Sequence, residues 1–208
     1  MAKIHKFQGD ITKEIANSFK DSIAIDTEAT GLKIPERDKL SLIQICDQNG
    51  VVYIIQPDRK TYKAPNLVSV LQNEKVLKIG HFLRFDKNAL EYFLKCKIKN
   101  IFDTKIASKI VRTYTDAHGL KNLVQEFCNK SIDKRQGSSD WNKDINELSD
   151  KQLEYAANDV IYLHKIKKEL EKMLVREKRM DLFQNCIAFL NTRVELDQKG
   201  FKEDIFEH

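Results

Sequence analysis

The sequence has few cysteines and no long apolar run, and each shortage excludes a class of protein. The cysteines are far apart, with no Cys-x-x-Cys pair and no histidine at zinc-ligand spacing. We therefore expect reduced thiols packed as small apolar residues, and no zinc site. No run approaches the ~18 apolar residues of a membrane-spanning helix, and the N-terminus lacks the apolar core of a signal peptide. These features predict a soluble, cytoplasmic protein whose four cysteines are free: Cys46, Cys96, Cys128 and Cys186.

The charge balance is mildly basic. Lys and Arg number 36 against 31 Asp and Glu, which gives a formal net charge of +5 and a sequence pI of about 8.9. That balance is compatible with a polyanionic partner but does not by itself establish one. A chain of 208 residues fits one compact domain with its own core, and it can bury about 70% of the surface that its unfolded form exposes.

Apolar patterning predicts a single α/β domain with a mixed sheet covered by helices. Short β-rich runs predict strands, and the turn Gln48-Asn49-Gly50 predicts a hairpin between two of them. The second, third and fourth strands should therefore be sequential and antiparallel. Residues 131–144 are polar and predict a loop. The expected strands are Ile4–Gln8, Ser22–Asp26, Leu40–Asp47, Val51–Ile55 and Val76–Gly80; the expected helices are Thr12–Phe19, Asn66–Leu71, Phe85–Leu94, Thr104–Val111, Leu120–Phe127, Asp150–Val175 and about 181–196.

Two acids stand at the end of the apolar run Ser-Ile-Ala-Ile. Asp26 and Glu28 are alternate residues, so in a strand they project from the same face. Two neighbouring carboxylates repel each other, and burying them is costly unless a cation is present. The alternative is that the strand simply reaches solvent before the turn at Gly31.

Two more acids are predicted to lie on helices. Asp86 falls in the first turn of a helix, where an acid is also an ordinary helix-start residue. Tyr155 and Asp159 are four residues apart and share one helical face, which would equally be unremarkable on a solvated surface. As a set, the four acids offer all-oxygen ligands suited to two Mg²⁺ or Mn²⁺ ions, a pair that can hydrolyse a phosphodiester.

The segments Asp-Thr-Glu-Ala-Thr-Gly-Leu, His-Phe-Leu-Arg-Phe-Asp and Tyr-Ala-Ala-Asn-Asp, in that order, resemble the three motifs of the DEDDy 3′→5′ exonucleases. These form the RNase D branch of the DnaQ-like superfamily, which has an RNase H-like fold. The resemblance implies that Asp26, Glu28, Asp86 and Asp159 bind the metals, and that Tyr155 positions the attacking water. A histidine in place of Tyr155 would indicate the sister DEDDh group.

A further segment, Lys134 to Trp141, is similar to the Lys-x-x-Gln-x-Ser-Asp-Trp segment of RNase D-like proteins, with Gly137 where Gln is usual. Phe82 also departs from the Asn that many members carry beside the histidine. Residues 104–123 and the ending Asp-Ile-Phe-Glu-His resemble the compact alphaproteobacterial nano-RNase C subfamily. That resemblance implies an octamer acting on very short RNAs, including dinucleotides. We expect a C-terminal helical extension at about 176–208 and no HRDC domain.

The remaining expectations concern substrate contacts. By resemblance, residues beside the acids contact the terminal nucleotide, and Leu32 is the candidate wedge against its base, with core packing as the alternative. Asp103 is expected to cap a helix, and Trp141 to pack or to contact a neighbouring subunit. RNase D-like tRNA trimming, a DNA exonuclease and an inactive nucleic-acid-binding module are the alternative functions. The candidate substrate contacts are Thr27, Leu32, His81, Phe82 and Arg84, and cations that could meet phosphates or remain solvated are Lys105, Lys109 and Arg112.

Overall fold

The computed structural model describes residues 3–34, 36–133, 137, 139–201, 203, 205 and 206. Lys134 of the RNase D-like segment lies outside the described residues, as do Asp204, Glu207 and His208 of the C-terminal motif. The centre of the fold is a six-stranded mixed sheet in the order β1-β4-β3-β2-β5-β6. Its strands are β1 (Lys3–Gln8), β2 (Ser22–Ala29), β3 (Leu40–Cys46), β4 (Val51–Gln56), β5 (Leu77–Gly80) and β6 (Ile101–Asp103).

Strands β2, β3 and β4 are sequential and antiparallel, as the sequence predicted. The turn between β3 and β4 is closed by a 3.1 Å hydrogen bond from the Gly50 amide to the Asp47 carbonyl, and Gly50 has φ +78°. This left-handed conformation favours glycine, which has no Cβ to clash with the backbone. Strands β1, β5 and β6 are each parallel to their neighbours, and β1 is an edge strand, as expected. The α/β class and the mixed sheet are therefore confirmed.

Helices cover both faces of this sheet. Each expected helix is present to within a few residues, apart from the long one that begins at Asp150. The helices are α1 (Lys13–Ser18), α2 (Pro65–Gln72), α3 (Leu83–Leu94), α4 (Thr104–Val111), α5 (Leu120–Cys128), α6 (Asp150–Asn158), α7 (Leu163–Arg176) and α8 (Met180–Gln198).

The secondary structure differs from the prediction in two places. The three-residue strand β6 was not predicted, because it is too short to show a clear period. The single helix expected from Asp150 to Val175 is two helices, separated by a tight turn over residues 159–162. In this turn the amides of Val160 and Leu163 donate to carbonyls three residues back. The apolar spacing continues through the turn, so the sequence pattern did not reveal it.

The two faces of the sheet bury separate apolar clusters. On one face, Ala24, Leu42 and Ile54 pack with residues of α4 to α7, including Ala156 and Leu163. The opposite face packs against α2, α3 and part of α8. Because the strand residues alternate between these clusters, strand β2 is fixed between two layers of helices.

The state of the cysteines and the composition of the helices can be compared with the prediction. All four cysteines are free thiols, as the spacing predicted. Within the described ranges, no helix combines the length and the apolar composition that crossing a bilayer requires.

Candidate active site

Strand β2 presents two acids from the sheet face that α6 covers. Asp26 and Glu28 follow Ala24 on that face, and Glu28 is only 9% exposed. The strand pairs with β3 up to this point, where the register shifts between Glu28 and Ala29. Such an irregularity ends regular pairing and redirects the strand. The two carboxylates therefore lie where the central strand leaves the sheet.

Helix α6 carries the third acid. The helix begins with a capping box, in which Ser149 and Gln152 bond each other's backbone amides, so its start is well defined. Its C-cap is Asp159, which is 5% exposed. Tyr155 lies one turn earlier, and its phenol hydrogen-bonds the Asp159 carboxylate. The shared helical face expected for Tyr155 and Asp159 is thus consistent with their contact.

The fold brings Asp26, Glu28 and Asp159 together. One carboxylate oxygen from each lies within 4.8 Å of the other two. Three carboxylates this close, of which Asp159 is buried and Asp26 partly exposed, repel one another unless positive charge lies between them. All the donors are hard oxygens, and Mg²⁺ and Mn²⁺ prefer such ligands. The residues present therefore fit a divalent cation site.

Asp86, the fourth predicted ligand, lies outside this three-acid group, on helix α3, and contacts β2 through Thr27 on the opposite face of the strand. The Thr27 hydroxyl donates a 2.6 Å hydrogen bond to Oδ1 of Asp86 on α3, and both side chains are buried. Burial raises the pKa of Asp86 to about 7, although the bond from Thr27 works in the opposite direction. Thr27 therefore links the first acidic motif to the second. Metal binding by Asp86 and a substrate contact by Thr27 both stay predictions.

The start of α3 is held by a buried acid. Asp103 is 1% exposed and accepts hydrogen bonds from the amides of Phe82 and Leu83 at 3.2 and 2.7 Å. Its carboxylate also accepts hydrogen bonds from the backbone amides of Lys105 and Ile106, in the first turn of α4, at 2.8 and 3.1 Å. The expected helix-capping role of Asp103 is confirmed, and it joins two helix starts rather than one.

Tyr155 is enclosed from several sides. Its ring lies 6.0 Å from that of Trp141, which is 3% exposed, so the packing role expected for Trp141 is confirmed. A Cβ on Gly137 would lie 2.9 Å from the Tyr155 hydroxyl. Burial, followed by the charges of Asp159 and the β2 acids, raises the pKa of the Tyr155 phenol. In this environment the phenol is a hydrogen-bond donor rather than a base.

Two exposed apolar side chains, Leu32 and Phe82, line a cavity whose described lining residues include none of the four acids. Leu32 is 85% exposed and Phe82 is 48% exposed, and both line a cavity with Arg84. The alternative of core packing for Leu32 was therefore wrong. Phe82 has φ +66°, a strained conformation for a bulky residue, and the Lys105 ammonium lies 4.1 Å from its ring centroid. An exposed apolar pair beside a cation can receive a base and a phosphate.

Other candidate residues have protein partners. The Arg84 guanidinium forms two 2.8 Å hydrogen bonds with Asp197 of α8, a pairing that local sequence patterns could not indicate. His81 Nδ1 lies 3.0 Å from the Thr104 hydroxyl. Arg112 is 2% exposed and binds Glu126, so both alternatives, a phosphate contact and a solvated surface charge, were wrong. Substrate contacts by Arg84 and His81 stay predictions.

Known proteins match this chain over most of its length. A protein-family model described as 3'-5' exonuclease matches residues 5–175. Ribonuclease D of Haemophilus influenzae is 37% identical over 157 residues, and DNA polymerase I of Aquifex aeolicus is 35% identical over 159 residues. These matches cover 74% and 72% of this chain. The chain spans only 38% and 24% of the length of these relatives.

Solved structures give a match over the whole chain. Brucella melitensis NrnC is 44% identical, with a TM-score of 0.92 over 99% of this chain and 98% of the other. The structure described as NrnC bound to pGG is 43% identical and has a TM-score of 0.93 over 100% of both chains. The structure described as NrnC with bound Mg²⁺ is also 43% identical, with a TM-score of 0.91 over 99% of both chains.

Proposed function

This chain belongs to the 3'-5' exonuclease family, and on that premise we propose that it is a metal-dependent 3′→5′ exoribonuclease of short RNAs. It would release nucleoside 5′-monophosphates, one at a time, by hydrolysis of the terminal phosphodiester. The observation that carries the reaction type is the cluster of Asp26, Glu28 and Asp159 within 4.8 Å. The buried Asp86, tied to β2 through Thr27, is the fourth acid of the proposed set.

Two divalent cations, Mg²⁺ or Mn²⁺, would be held by Asp26, Glu28, Asp86 and Asp159. When bound, such ions lower the pKa of a water and stabilise the leaving oxygen of a phosphodiester. The carboxylates supply the negative charge and the fixed oxygen positions that such ions need. The Mg²⁺-bound structure of Brucella NrnC, a protein 43% identical to this chain, supports this choice of cofactor.

The Tyr155 phenol would orient the attacking water. It is already fixed by its hydrogen bond to Asp159 and by packing against Trp141. Orientation of a reactant by a rigid donor lowers the entropic part of the barrier. The bound cations, rather than the phenol, would lower the pKa of this water.

The substrate is proposed to be very short RNA, down to dinucleotides. Support comes from the match with the NrnC structure bound to pGG, a 5′-phosphorylated dinucleotide by its name. The exposed Leu32 and Phe82 would hold the 3′-terminal base, with Arg84 and His81 beside it. A site that holds only the 3′-terminal nucleotides would gain little affinity from a longer chain.

The length preference is tested with 5′-labelled RNAs of two to twenty nucleotides, in Mg²⁺ and in Mn²⁺. We expect the dinucleotide to be hydrolysed at least as fast as the 20-mer. Much faster cleavage of the 20-mer would contradict the short-RNA proposal. Product ladders on a tRNA with an extended 3′ end and on a matched DNA separate the two alternatives, tRNA trimming and DNA degradation.

Leu32→Ala tests the base contact. Because Leu32 is 85% exposed, the change should leave the free energy of unfolding within about 0.5 kcal/mol. We expect KM for a dinucleotide to rise about tenfold, the effect of losing roughly 1.4 kcal/mol of apolar contact. Val175→Ala, another exposed apolar residue, on α7, is the matched control. An unchanged KM in Leu32→Ala would remove this residue from the binding site.

The assembly and the compartment are further proposals. We propose a homo-oligomer, an octamer by resemblance to nano-RNase C, acting on RNA in the cytoplasm. Size-exclusion chromatography with light scattering measures the assembly directly. A monomeric mass at micromolar concentration would contradict the octamer, and cell fractionation tests the compartment.

A further inference from the structure

Gln44 is a fully buried glutamine in the middle of strand β3. Its exposed fraction is 0%, and neither its amide nitrogen nor its amide oxygen has a hydrogen-bond partner among the described residues. Leaving a buried polar group unpaired costs about 1–3 kcal/mol, and Gln44 has two such atoms. An apolar side chain of the same size would avoid this cost. The buried amide therefore indicates a role other than packing.

The strand register places Gln44 beside the acidic cluster. Gln44 is paired with Asp26 on β2 on one side and with Ile54 on β4 on the other. Residues opposite each other in an antiparallel pair have Cβ atoms about 4.5–5.5 Å apart and share one face of the sheet. That face carries Leu42 and Cys46 and is the face that α6 covers. Gln44 and Asp26 are therefore lateral neighbours beneath the helix that bears Tyr155 and Asp159.

Asp26 is the directly opposite neighbour that can accept from the amide, and Glu28 is the diagonal one. Ile54 and Leu42 carry only hydrocarbon, and the Cys46 thiol is directed to the Asp47 carbonyl at 3.4 Å. An amide N–H donates well to a carboxylate, and such charge-assisted bonds are about twice as strong as neutral ones. The glutamine side chain is long enough to reach across one strand spacing, directly or through one water.

We propose that Gln44 is a positioning residue for Asp26. The amide is unpaired in the metal-free chain, and a turn of the side chain on cation binding would let its Nε2–H donate to the Asp26 oxygen that does not face the cation. This bond fixes the rotamer of Asp26 so that its other oxygen faces Glu28 and Asp159. The inference rests on the proposed function, because it assigns Asp26 to a divalent cation. Partners that orient a metal ligand typically change metal affinity by about 10- to 100-fold.

Gln44→Met tests the inference, because it keeps the shape of the side chain and removes both polar atoms. The dissociation constant for Mn²⁺ is measured by titration calorimetry on the full chain without substrate, and the melting temperature without metal is measured alongside. We expect the dissociation constant to rise about 10- to 100-fold. The melting temperature should stay the same or rise, because unpaired polar atoms have been removed from the core. A residue with only a structural role would not give that combination.

Ser41→Ala is the matched control on the same strand. The Ser41 hydroxyl is also fully buried without a partner among the described residues, but it lies at the register shift between Leu40 and Leu42 and not opposite Asp26. We expect a similar effect on stability and an unchanged Mn²⁺ affinity. Gln44→Asn, which withdraws the amide by one methylene, should weaken Mn²⁺ binding and serves as the test if the Met variant does not fold.

The outcomes separate the inference from the proposed function. Wild-type affinity for Mn²⁺ in a folded Gln44→Met or Gln44→Asn variant would overturn the inference alone. A wild-type chain that binds no Mn²⁺ at millimolar concentration would overturn the proposed function and the inference together. An equal loss of affinity in Ser41→Ala would also overturn the inference, because it would show that any change in the strand disturbs the site.

Discussion

The Thr27 hydroxyl donates to Oδ1 of Asp86 at 2.6 Å, and this bond connects the central strand to helix α3. Thr27 stands between Asp26 and Glu28, on the opposite face of the same strand. One strand therefore presents two acids to α6 and anchors a third acid on α3. The relative position of the four proposed metal ligands depends on this arrangement.

Thr27→Val should weaken metal binding while the fold is kept. The change removes the donor to Asp86 but keeps the β-branched shape, so the buried carboxylate loses a partner that fixes its position. We expect about 10- to 100-fold weaker Mn²⁺ binding, as for other partners of metal ligands. Calorimetry measures the affinity, and Thr27→Ser, which retains the hydroxyl, is the control. Equal affinities in the Val and Ser variants would contradict the role of this bond.

Asp159→Asn should abolish turnover without unfolding the chain. The amide has nearly the shape of the carboxylate but removes one negative charge from the three-acid cluster. Loss of a residue that only orients a metal ligand typically lowers activity by about 10- to 100-fold. Because Asp159 is itself a proposed ligand, we expect kcat to fall by at least about 100-fold. Glu154→Gln, which removes an acid from the exposed side of α6, is the control. Full activity in Asp159→Asn would show that the metal assignment is wrong.

Tyr155→Phe should slow hydrolysis with little effect on metal binding. It removes only the hydroxyl that contacts Asp159, and the ring still packs on Trp141. A positioned proton donor or acceptor contributes about 10²- to 10⁴-fold, so we expect kcat to fall by at least about 100-fold. KM for the dinucleotide should change much less. If KM rose and kcat stayed constant, Tyr155 would be a binding residue instead.

Gly137→Ala should act through Tyr155. The new Cβ would lie 2.9 Å from the hydroxyl and 3.6 Å from Cζ, too close for the phenol to keep its place. We expect about a tenfold fall in kcat, and almost no further fall when the change is added to Tyr155→Phe, because residues in contact are not additive. Gly119→Ala is the control, since its Cβ would meet Asn122 at an ordinary 3.7 Å. If the double variant lost kcat by the product of the two single effects, this coupling would be contradicted.

His164 should make the protein less stable as the pH falls. Its Nε2–H donates to the Cys46 carbonyl at 3.1 Å, and burial lowers the pKa of the ring. The unfolded chain then binds a proton below about pH 6.5 that the folded chain does not, so stability is lost as the pH falls through that range. The free energy of unfolding should fall by at most about 1.4 kcal/mol per pH unit from this one group.

Thermal melts of the wild type and His164→Gln between pH 7.5 and 5 check this prediction. The glutamine variant keeps a donor for the Cys46 carbonyl but has no group that titrates in this range. Its melting temperature should fall less steeply than that of the wild type as the pH decreases. Parallel curves for the two proteins would show that other groups cause the pH dependence.

Much of the architecture could be predicted from the sequence because it depends on local patterns. The strand alternation of Asp26 and Glu28 and the helical spacing of Tyr155 and Asp159 follow from the geometry of one element each. The turn at Gly50 likewise shows in three adjacent residues. Strand β6 and the break after α6 were missed, since a three-residue strand and a turn without a change in apolar spacing carry no such signal.

The sequence by itself determined which acids lie on which elements, because period and capping are set within a few residues. Tertiary structure alone decided which of them meet: Asp159 with the β2 acids within 4.8 Å, and Thr27 with Asp86. It also decided that Arg112 is internal and that Arg84 pairs with Asp197. These contacts join distant parts of the chain, and they form only when the helices pack on both faces of the sheet. Local propensity carries no information about that packing.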